Sequence, residues 1–499
     1  MRRTYLLLGS ALTMVAAPAM AETLKEALLK AYNTNPTLSA DRANVRAIDE
    51  NVPIARSQGL PSLNVSGNYT ENVVNAQNSF LAPARQATGQ TTFSVPIYAG
   101  GAVRNAVKAA EVRVEQSRFG LRNTESQLFT AVVGAYMDVI RDEAIVSLNR
   151  QNVRVLDVNL QASSDRFQVG DLTRTDVAQS QARLAVARSQ LQTAEARLIS
   201  SRESYIRLIG NAPGSLETPP PVPDSPTDPD TAVEVAIKNN PALLAAEKAR
   251  DAARFDEGTA RAARLPRLSA NVGGNYYNYL GSLGSSTGQS IPQSGTAATV
   301  GLGLTLPLYQ GGRPAAQVRQ AQERRGQAIE QVTEAERQVI ANTRSAYAVW
   351  KSSEEVIASS EVAVNANRLS LEGVRAENSV GNRTILDILN AEQELLNSQV
   401  TLVTARRDAY VARFALQAAM GRAEARDLGL DGGALYDPVV NYKRVRHKLS
   451  DWGSDPEPVP QATTTRDTKA QGAEVTKPLD PILDTPVDRD VANPAGTPR

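Results

Sequence analysis

The sequence predicts a mainly α-helical chain that also contributes strands to a membrane β-barrel. Three observations support this prediction. The chain repeats its own motifs in two halves, each half has a long proline-free segment with apolar residues spaced by sevens, and four short segments alternate apolar with polar or small residues. Sevenfold spacing indicates coiled-coil helices, and alternation over about 9–11 residues is typical of a strand that crosses a bilayer.

The amino-terminal stretch, residues 1–21, has the features of a secretory signal peptide. Two arginines precede a short apolar core, and the stretch ends in Ala-Met-Ala, so we expect cleavage after Ala21. A membrane anchor is the alternative interpretation. The remaining chain has no apolar run near the ~20 residues that a spanning helix needs, so we expect no membrane helix in the mature protein.

The composition argues against several functional classes. The 54 basic and 53 acidic residues nearly balance, so nothing indicates nucleic acid as a partner. Cysteine is absent, which removes disulfides, thiolate metal sites, a cysteine nucleophile and a lipid-bearing amino-terminal cysteine. The single histidine, His447, lies in a polar tail, and there is no Gly-rich phosphate loop. We therefore expect no enzyme activity, no cofactor and no metal site.

Paired motifs indicate that the two halves arose by duplication. The stretch "LPSLNVSGNY" from Leu60 resembles "LPRLSANVGGNY" from Leu265, and "VGDLTRTDV" from Val169 resembles "VGNRTILDI" from Val380. The predicted organisation is a signal peptide at 1–21, a first repeat at 22–209, a proline-rich linker at 210–230, a second repeat at 231–422 and a Pro- and Thr-rich tail at 423–499. We expect the tail to be disordered.

Each repeat contains one very long helix, a shorter returning helix and a helix before the strands. From Gly101 to Gln168 there is no proline, and the apolar spacing of this segment recurs in the second repeat. About 67 residues at ~1.5 Å each make a rod of roughly 100 Å, which no compact domain holds. Gly170 and Gly381 suit a left-handed turn at the end of each rod. We expect the two shorter helices to stack end to end beside the rod.

The predicted strands lie at about 61–73 and 90–98 in the first repeat, and at about 266–280 and 297–309 in the second. Tyrosines cluster near their ends, as in the aromatic girdles at a water–lipid boundary. Two soluble hairpins packed on the helices are the alternative. Four strands cannot close into a barrel, and an open edge in lipid leaves backbone groups unpaired. A dimer would supply eight strands and a trimer twelve, and a water-filled pore favours the trimer.

Both repeats carry the pattern P-[IL]-Y-x-G-G where a strand meets a rod. We expect the proline to end the ladder of strand hydrogen bonds and the paired glycines to allow a sharp turn. The predicted strand-to-helix corner residues are Pro96, Tyr98, Gly100, Gly101, Pro307, Tyr309, Gly311 and Gly312.

Taken together, these motifs resemble the TolC family of outer-membrane efflux and type I secretion proteins, in its non-lipidated branch. The resemblance runs from about Glu22 to Arg422 and rests on the duplicated motifs in their order. It implies a homotrimer with a twelve-stranded barrel in outer-membrane lipid and an α-helical tunnel through the periplasm. The implied function is a passive duct of a tripartite efflux pump or type I secretion system. A periplasmic adaptor (membrane fusion) protein and an inner-membrane transporter are the implied partners.

The resemblance also implies a gate at the turns between the rods and the returning helices. Arg383 corresponds to an arginine that links neighbouring coiled coils, Thr175 and Asp176 correspond to its partners, and Asp387 corresponds to the innermost acidic ring. We expect three copies of Asp387 to form a constriction that attracts cations. Arg383 would bind Asp176 only in the closed state.

Two tip positions depart from the family pattern. Asn390 stands where the best-known member has a second aspartate, and Asn378 stands where it has a tyrosine that ties the closed state. These departures predict a weaker acidic ring and fewer closing bonds. A purely structural interpretation of the acidic residues stays open, because 173–176 and 384–387 both have the capping-box pattern of a helix start.

A structural coiled-coil spacer between the outer membrane and a periplasmic partner is the alternative function. It would explain the rods but not the four strands. Channel conductance in a lipid bilayer distinguishes the two functions directly.

Overall fold

The computed structural model describes residues 21–74, 83–222, 226–283, 292–430 and 435–484. The predicted signal peptide lies outside the described residues, apart from Ala21. Within them the chain forms four strands, β1 (Ser62–Glu71), β2 (Arg85–Tyr98), β3 (Arg267–Asn278) and β4 (Ser294–Thr305). The described residues also form ten helices: α1 (Leu24–Thr34), α2 (Pro36–Asp49), α3 (Asn51–Ser57), α4 (Ala102–Gln168), α5 (Arg174–Ile209), α6 (Pro229–Asn239), α7 (Pro241–Ala262), α8 (Arg313–Ser379), α9 (Ile385–Ala419) and α10 (Pro438–Val445).

The two rods, α4 and α8, have 67 residues each, which corresponds to a length of about 100 Å. The returning helices α5 and α9 have 36 and 35 residues and pack beside the half of each rod that ends at the turn. We call α4 with α5 the first hairpin and α8 with α9 the second hairpin. None of the described helices combines the length and apolar character that crossing a bilayer requires.

The helices before the strands are interrupted, whereas we expected one continuous helix in each repeat. Matching breaks fall at Asn35 and Asn240, each followed by a proline that begins the next helix, and the first repeat has a further break at Glu50. The asparagine side chain accepts hydrogen bonds from the first free N–H groups of that helix, and proline suits the first helical position. The same Asn240 side chain donates to the carbonyl of Ala419 at the end of α9, at 2.9 Å. In the second repeat, α7 and the returning helix α9 therefore meet end to end beside the rod α8.

The strands form one antiparallel sheet in the order β1-β2-β3-β4. The middle pairing, β2 with β3, joins the first repeat to the second. Within the described part of the chain, β1 and β4 each pair along one edge only. The sheet therefore presents two free edges.

The two faces of the sheet differ in polarity. Residues directly opposite each other in neighbouring strands lie on the same face. One row across the sheet is apolar and exposed in the single chain: Leu63, Phe93, Val272 and Val300. The adjacent row, on the other face, is polar or small: Asn64, Thr92, Gly273 and Thr299. An apolar face that no described part of the chain covers is typical of a surface that contacts lipid.

The prediction that Pro96 ends its strand is wrong. Strand β2 continues through Pro96 to Tyr98, with a register shift between these two residues. A bulge accommodates proline because one residue there takes no part in the regular ladder. In the second repeat, β4 ends at Thr305, so Pro307 and Tyr309 lie in the connection to the rod.

Parts of the described tail pack against the helices, which corrects the prediction of disorder for 423–430, for α10 and for 471–484; residues 446–470 are almost all exposed. Helix α10 packs on α2, and its Val445 is fully buried. Further along, Leu483 is 3% exposed in a cluster with leucines of the hairpins. The Pro- and Thr-rich composition predicts disorder because apolar residues are few in the tail. The burial of those few apolar side chains nevertheless stabilises the packed segments.

Candidate functional site

The two turns between rod and returning helix have the same backbone geometry. Gly170 and Gly381 adopt φ angles of 89° and 83°, a left-handed conformation that glycine reaches at no steric cost. In the first turn the N–H of Gly170 donates to the carbonyl of Phe167 at 3.1 Å, and the N–H of Asp171 donates to that of Arg166 at 2.9 Å. This is the Schellman arrangement, and the second turn repeats it.

A complete capping box begins each returning helix. The N–H and Oγ1 of Thr173 donate to Oδ2 of Asp176 at 2.9 and 2.7 Å, and the N–H of Asp176 donates back to Oγ1 of Thr173 at 3.3 Å. Thr384 and Asp387 repeat this geometry at 3.0, 2.8 and 3.3 Å. These hydrogen bonds hold the pKa of both aspartates below the usual value. Both turns therefore contain the capping box that the structural interpretation of Asp176 and Asp387 predicts.

Arg383 is exposed at the second tip and forms an ion pair within its own hairpin. Its Nε donates to Oε2 of Glu377 at 2.7 Å, which raises the pKa of the guanidinium. Among the described residues the structure does not bring Arg383 to Thr175 or Asp176. The first repeat has Leu172 at the position equivalent to Arg383. An arginine therefore stands at this position in one tip of each copy and not in the other.

The two asparagines that depart from the family pattern have distinct partners. Asn378 donates through Nδ2 to the carbonyl of Arg383 at 2.7 Å, which closes the turn from inside. Asn390 accepts through Oδ1 from Nη2 of Arg183 at 2.7 Å. Because Arg183 lies on α5 and Asn390 on α9, this bond joins the two hairpins near their tips. Both asparagine side chains therefore form hydrogen bonds at the tips.

Two residues that form contacts at the tips, Glu377 and Arg183, were not predicted from the sequence. Glu377 precedes Arg383 by six residues across a glycine turn, and a Schellman turn brings such positions together. The opposite charges at this spacing are a signal that could have identified the pair. No comparable signal exists for Arg183, because its partner depends on how the two hairpins pack.

The corners between strand and rod have the geometry that the glycine pairs predict. The φ angles are 63° and 81° at Gly100 and Gly101, and 61° and 80° at Gly311 and Gly312. Gly100 also packs tightly, since a Cβ atom there would lie 2.7 Å from Cβ of Leu265. Gly101, Gly311 and Gly312 have open space around them. Tyr98 and Tyr309 are exposed beside these corners.

Comparison with known proteins agrees with this geometry. The family model described as outer membrane efflux protein matches residues 27–211 and 232–422, which together exceed half of the chain. The chain belongs to the outer membrane efflux protein family. The duplication appears as two matched segments, one for each repeat. The resemblance predicted from the motifs is thereby confirmed.

Relatives in the outer membrane efflux protein family align over most of the chain. The outer membrane efflux protein BepC of Brucella suis biovar 1 (strain 1330) is 34% identical over 446 residues, covering 89% of this chain and 94% of the relative. The outer membrane protein TolC of Escherichia coli (strain K12) is 28% identical over 489 residues, covering 94% of this chain and 98% of the relative. The crystal structure of the outer membrane protein VceC of Vibrio cholerae superposes with a TM-score of 0.68 at 22% identity, covering 80% of this chain and 96% of that one.

These comparisons confirm the predicted fold class and the outer-membrane location. The helical rods and the four-stranded sheet belong to a fold in which a membrane barrel continues into a helical tunnel. The family consists of channel proteins rather than enzymes. The tip residues then lie at the periplasmic end of the rods, opposite the sheet.

Proposed function

We propose that three copies of this chain form an outer-membrane channel-tunnel, a passive duct from the periplasm to the exterior. The observation that carries the proposal is the sheet with one apolar face, one polar face and two free edges. In lipid each unpaired backbone group of a free edge costs several kcal/mol. The edge of β4 therefore pairs with β1 of the next copy until the barrel closes.

The number of copies follows from the size of the barrel. Two copies would make eight strands, and side chains fill the interior of a barrel of that size. Three copies make twelve strands, whose polar inner face encloses water. The polar row that includes Asn64 and Thr92 would line this interior.

The surface of α8 also supports assembly. Its surface carries exposed apolar residues in two pairs, each spaced by seven, with exposed fractions between 44% and 70%: Val349 with Val356, and Val362 with Leu369. Sevenfold apolar spacing is the pattern by which helices pack side by side. Helices of neighbouring copies would cover these pairs and continue the tunnel wall.

The duct would work within a tripartite efflux pump or a type I secretion system. The name of the Brucella relative describes efflux, which favours the pump. In either machine an inner-membrane transporter supplies energy and a periplasmic adaptor protein joins it to the tunnel. The duct itself transfers no chemical group.

The tips of the two hairpins would form the gate. Three Asp387 side chains around the axis would attract cations, and their capping hydrogen bonds keep them ionised. On closing, Arg383 would leave Glu377 for Asp176 or Thr175 of a neighbouring copy. Exposed ion pairs are worth about 0–1 kcal/mol each, so exchange between partners needs little energy.

Conductance in a planar bilayer tests both parts of the proposal. The purified protein should be trimeric by native mass spectrometry and should form discrete channels. Arg383→Ser should increase single-channel conductance, whereas Arg337→Ser, an exposed arginine elsewhere on α8, should not. A monomer without conductance would contradict the duct and favour the spacer. A conducting trimer that Arg383→Ser leaves unchanged would contradict only the role of Arg383.

A further inference from the structure

Residues 471–484 of the tail run across the helices of both hairpins, and we call this segment the belt. Its first part is extended, with the alternation that an extended chain shows. Ala473 and Val475 are partly buried towards the helices, whereas Glu474 and Thr476 are exposed. The belt therefore has an inner face and an outer face.

Arg202 of α5 fixes the beginning of the belt. Its Nη1 donates to the carbonyl of Gly472 at 2.6 Å, and its Nη2 donates to that of Glu474 at 2.8 Å. The same guanidinium forms an ion pair with Glu143 of α4 at 2.7 Å, with both side chains largely buried. The first hairpin thus positions this arginine, which offers its remaining N–H groups to the belt backbone.

Arg150 of α4 repeats this arrangement from the neighbouring helix. It forms an ion pair with Glu195 of α5 at 2.9 Å and donates to the carbonyl of Ala473 at 2.8 Å. Two ion pairs that cross between α4 and α5 therefore hold the belt on the first hairpin.

The second hairpin holds the end of the belt in a similar way. Arg406 of α9 pairs with Glu361 of α8 at 3.0 Å and with Asp480 of the belt at 2.9 Å. Gln399 of α9 donates to the carbonyl of Leu483 at 2.9 Å. Arg368 of α8 donates to the carbonyl of Ile482.

Apolar contacts accompany the second set of polar contacts. Leu483 is buried in a cluster that includes Leu148 of α4 and Val403 of α9, and Leu479 packs against it. A cavity of about 370 Å³ lies beside them between α4 and α9. The belt therefore contacts both hairpins through its backbone, the carboxylates of Asp480 and Asp484, and the side chains of Leu479 and Leu483.

We propose that the belt is a built-in ligand that ties the two hairpins of one copy together. Any motion that separates the second hairpin from the first must break one set of belt contacts. The hairpin tips therefore open widely only after the belt is released from one side. This inference rests on the proposed duct function, in which separation of the tips widens the channel.

Two substitutions on the belt test the proposal in the full-length trimer. Leu483→Asp places a carboxylate in the apolar cluster, where burial of a charge is unfavourable, without altering any hairpin residue. Thr476→Asp is the matched control, because it adds the same charge on the exposed face of the same segment. The measurements are cleavage at the Leu479–Asp480 bond by chymotrypsin, within the part of the belt that contacts the apolar cluster, and single-channel conductance.

We expect Leu483→Asp to be cleaved about tenfold faster or more, because cleavage follows the population of the released segment, and to conduct more. Thr476→Asp should match the wild type in both measurements. Faster cleavage with unchanged conductance would overturn the proposal, as would equally fast cleavage of the wild type. Leu479→Asp provides a second variant, which should also conduct more; its conductance alone is compared because the substitution removes the cleavage site. A wild-type protein that forms no channel would instead contradict the duct itself.

Discussion

Nη2 of Arg183 donates to Oδ1 of Asn390 at 2.7 Å, which joins α5 to α9 near the tips of the two hairpins. From the sequence, Asn390 predicts only the loss of an acidic group. Its amide oxygen instead accepts a hydrogen bond from the other hairpin. The neutral amide of Asn390, one helical turn beyond Asp387, therefore links α9 to α5.

Asn390→Asp should strengthen this link and enlarge the acidic ring. The new carboxylate forms a charge-assisted bond with Arg183, worth about 0.2–1 kcal/mol at an exposed site. We expect lower conductance and stronger block by divalent cations in a planar bilayer. Asn397→Asp, on an exposed site further along α9, is the control. Equal block in both variants would show that Asn390 does not face the constriction.

Asn240→Ala should destabilise the junction between α7 and α9. The substitution removes the cap of α7 and leaves the carbonyl of Ala419 without its donor. We expect a loss of about 2 kcal/mol and a lower thermal unfolding midpoint. Asn239→Ala is the matched control, because among the described residues the Asn239 amide donates to Val235 of its own helix and to no other helix. Equal midpoints for the two variants would contradict the importance of this junction.

Gly100→Ala should be more damaging than Gly311→Ala, although the two glycines are equivalent in the repeats. Both have φ near +60°, so each alanine incurs about 1–2 kcal/mol of left-handed strain. At Gly100 the new Cβ also collides with Leu265, which adds about 1–3 kcal/mol. The difference should appear as a lower unfolding midpoint and less assembled trimer for Gly100→Ala. Equal effects would mean that the corner at Leu265 relaxes freely.

Glu125 should make the docking of residues 423–430 dependent on pH. Desolvation raises the pKa of this carboxyl on α4 to about 7, although the N–H of Ala425 donates to it. A raised folded-state pKa means that its stabilising contribution is complete below about pH 4.5 and is lost as the pH rises through 7. Thermal unfolding at pH 5 and pH 7.5 measures this difference.

Glu125→Gln should reduce the difference between the two pH values, because the amide keeps an acceptor for Ala425 and does not titrate. Glu330→Gln, on an exposed face of α8, should leave the difference unchanged. If both variants behave alike, another group causes the pH dependence.

Features that depend on local periodicity were predictable from the sequence. The rods, the returning helices and the four strands follow from spacings of seven and two, which each segment carries by itself. The corner glycines and the capping boxes were predictable because each depends on a few consecutive residues. Their geometry at Gly101 and Thr384 agrees with the prediction.

Features that depend on packing between distant segments were not predictable. A bulge lets Pro96 remain inside β2, and only the pairing with β3 reveals that bulge. The ion pair with Glu143 orients Arg202 so that it binds the tail backbone. The amino-acid composition of the tail does not indicate this contact. The link between Arg183 and Asn390 likewise depends on how α5 and α9 are placed side by side.

The matching turns of the two repeats have a consequence for the assembled ring. Six helix ends with one shared backbone shape would surround the axis, and full sequence symmetry would give all of them the same side chains. The chain instead carries Leu172 at one end and Arg383 at the other. Going around the ring, leucine and arginine would then alternate at this one position, so that every Arg383 has Leu172 at the equivalent place of the end on each side.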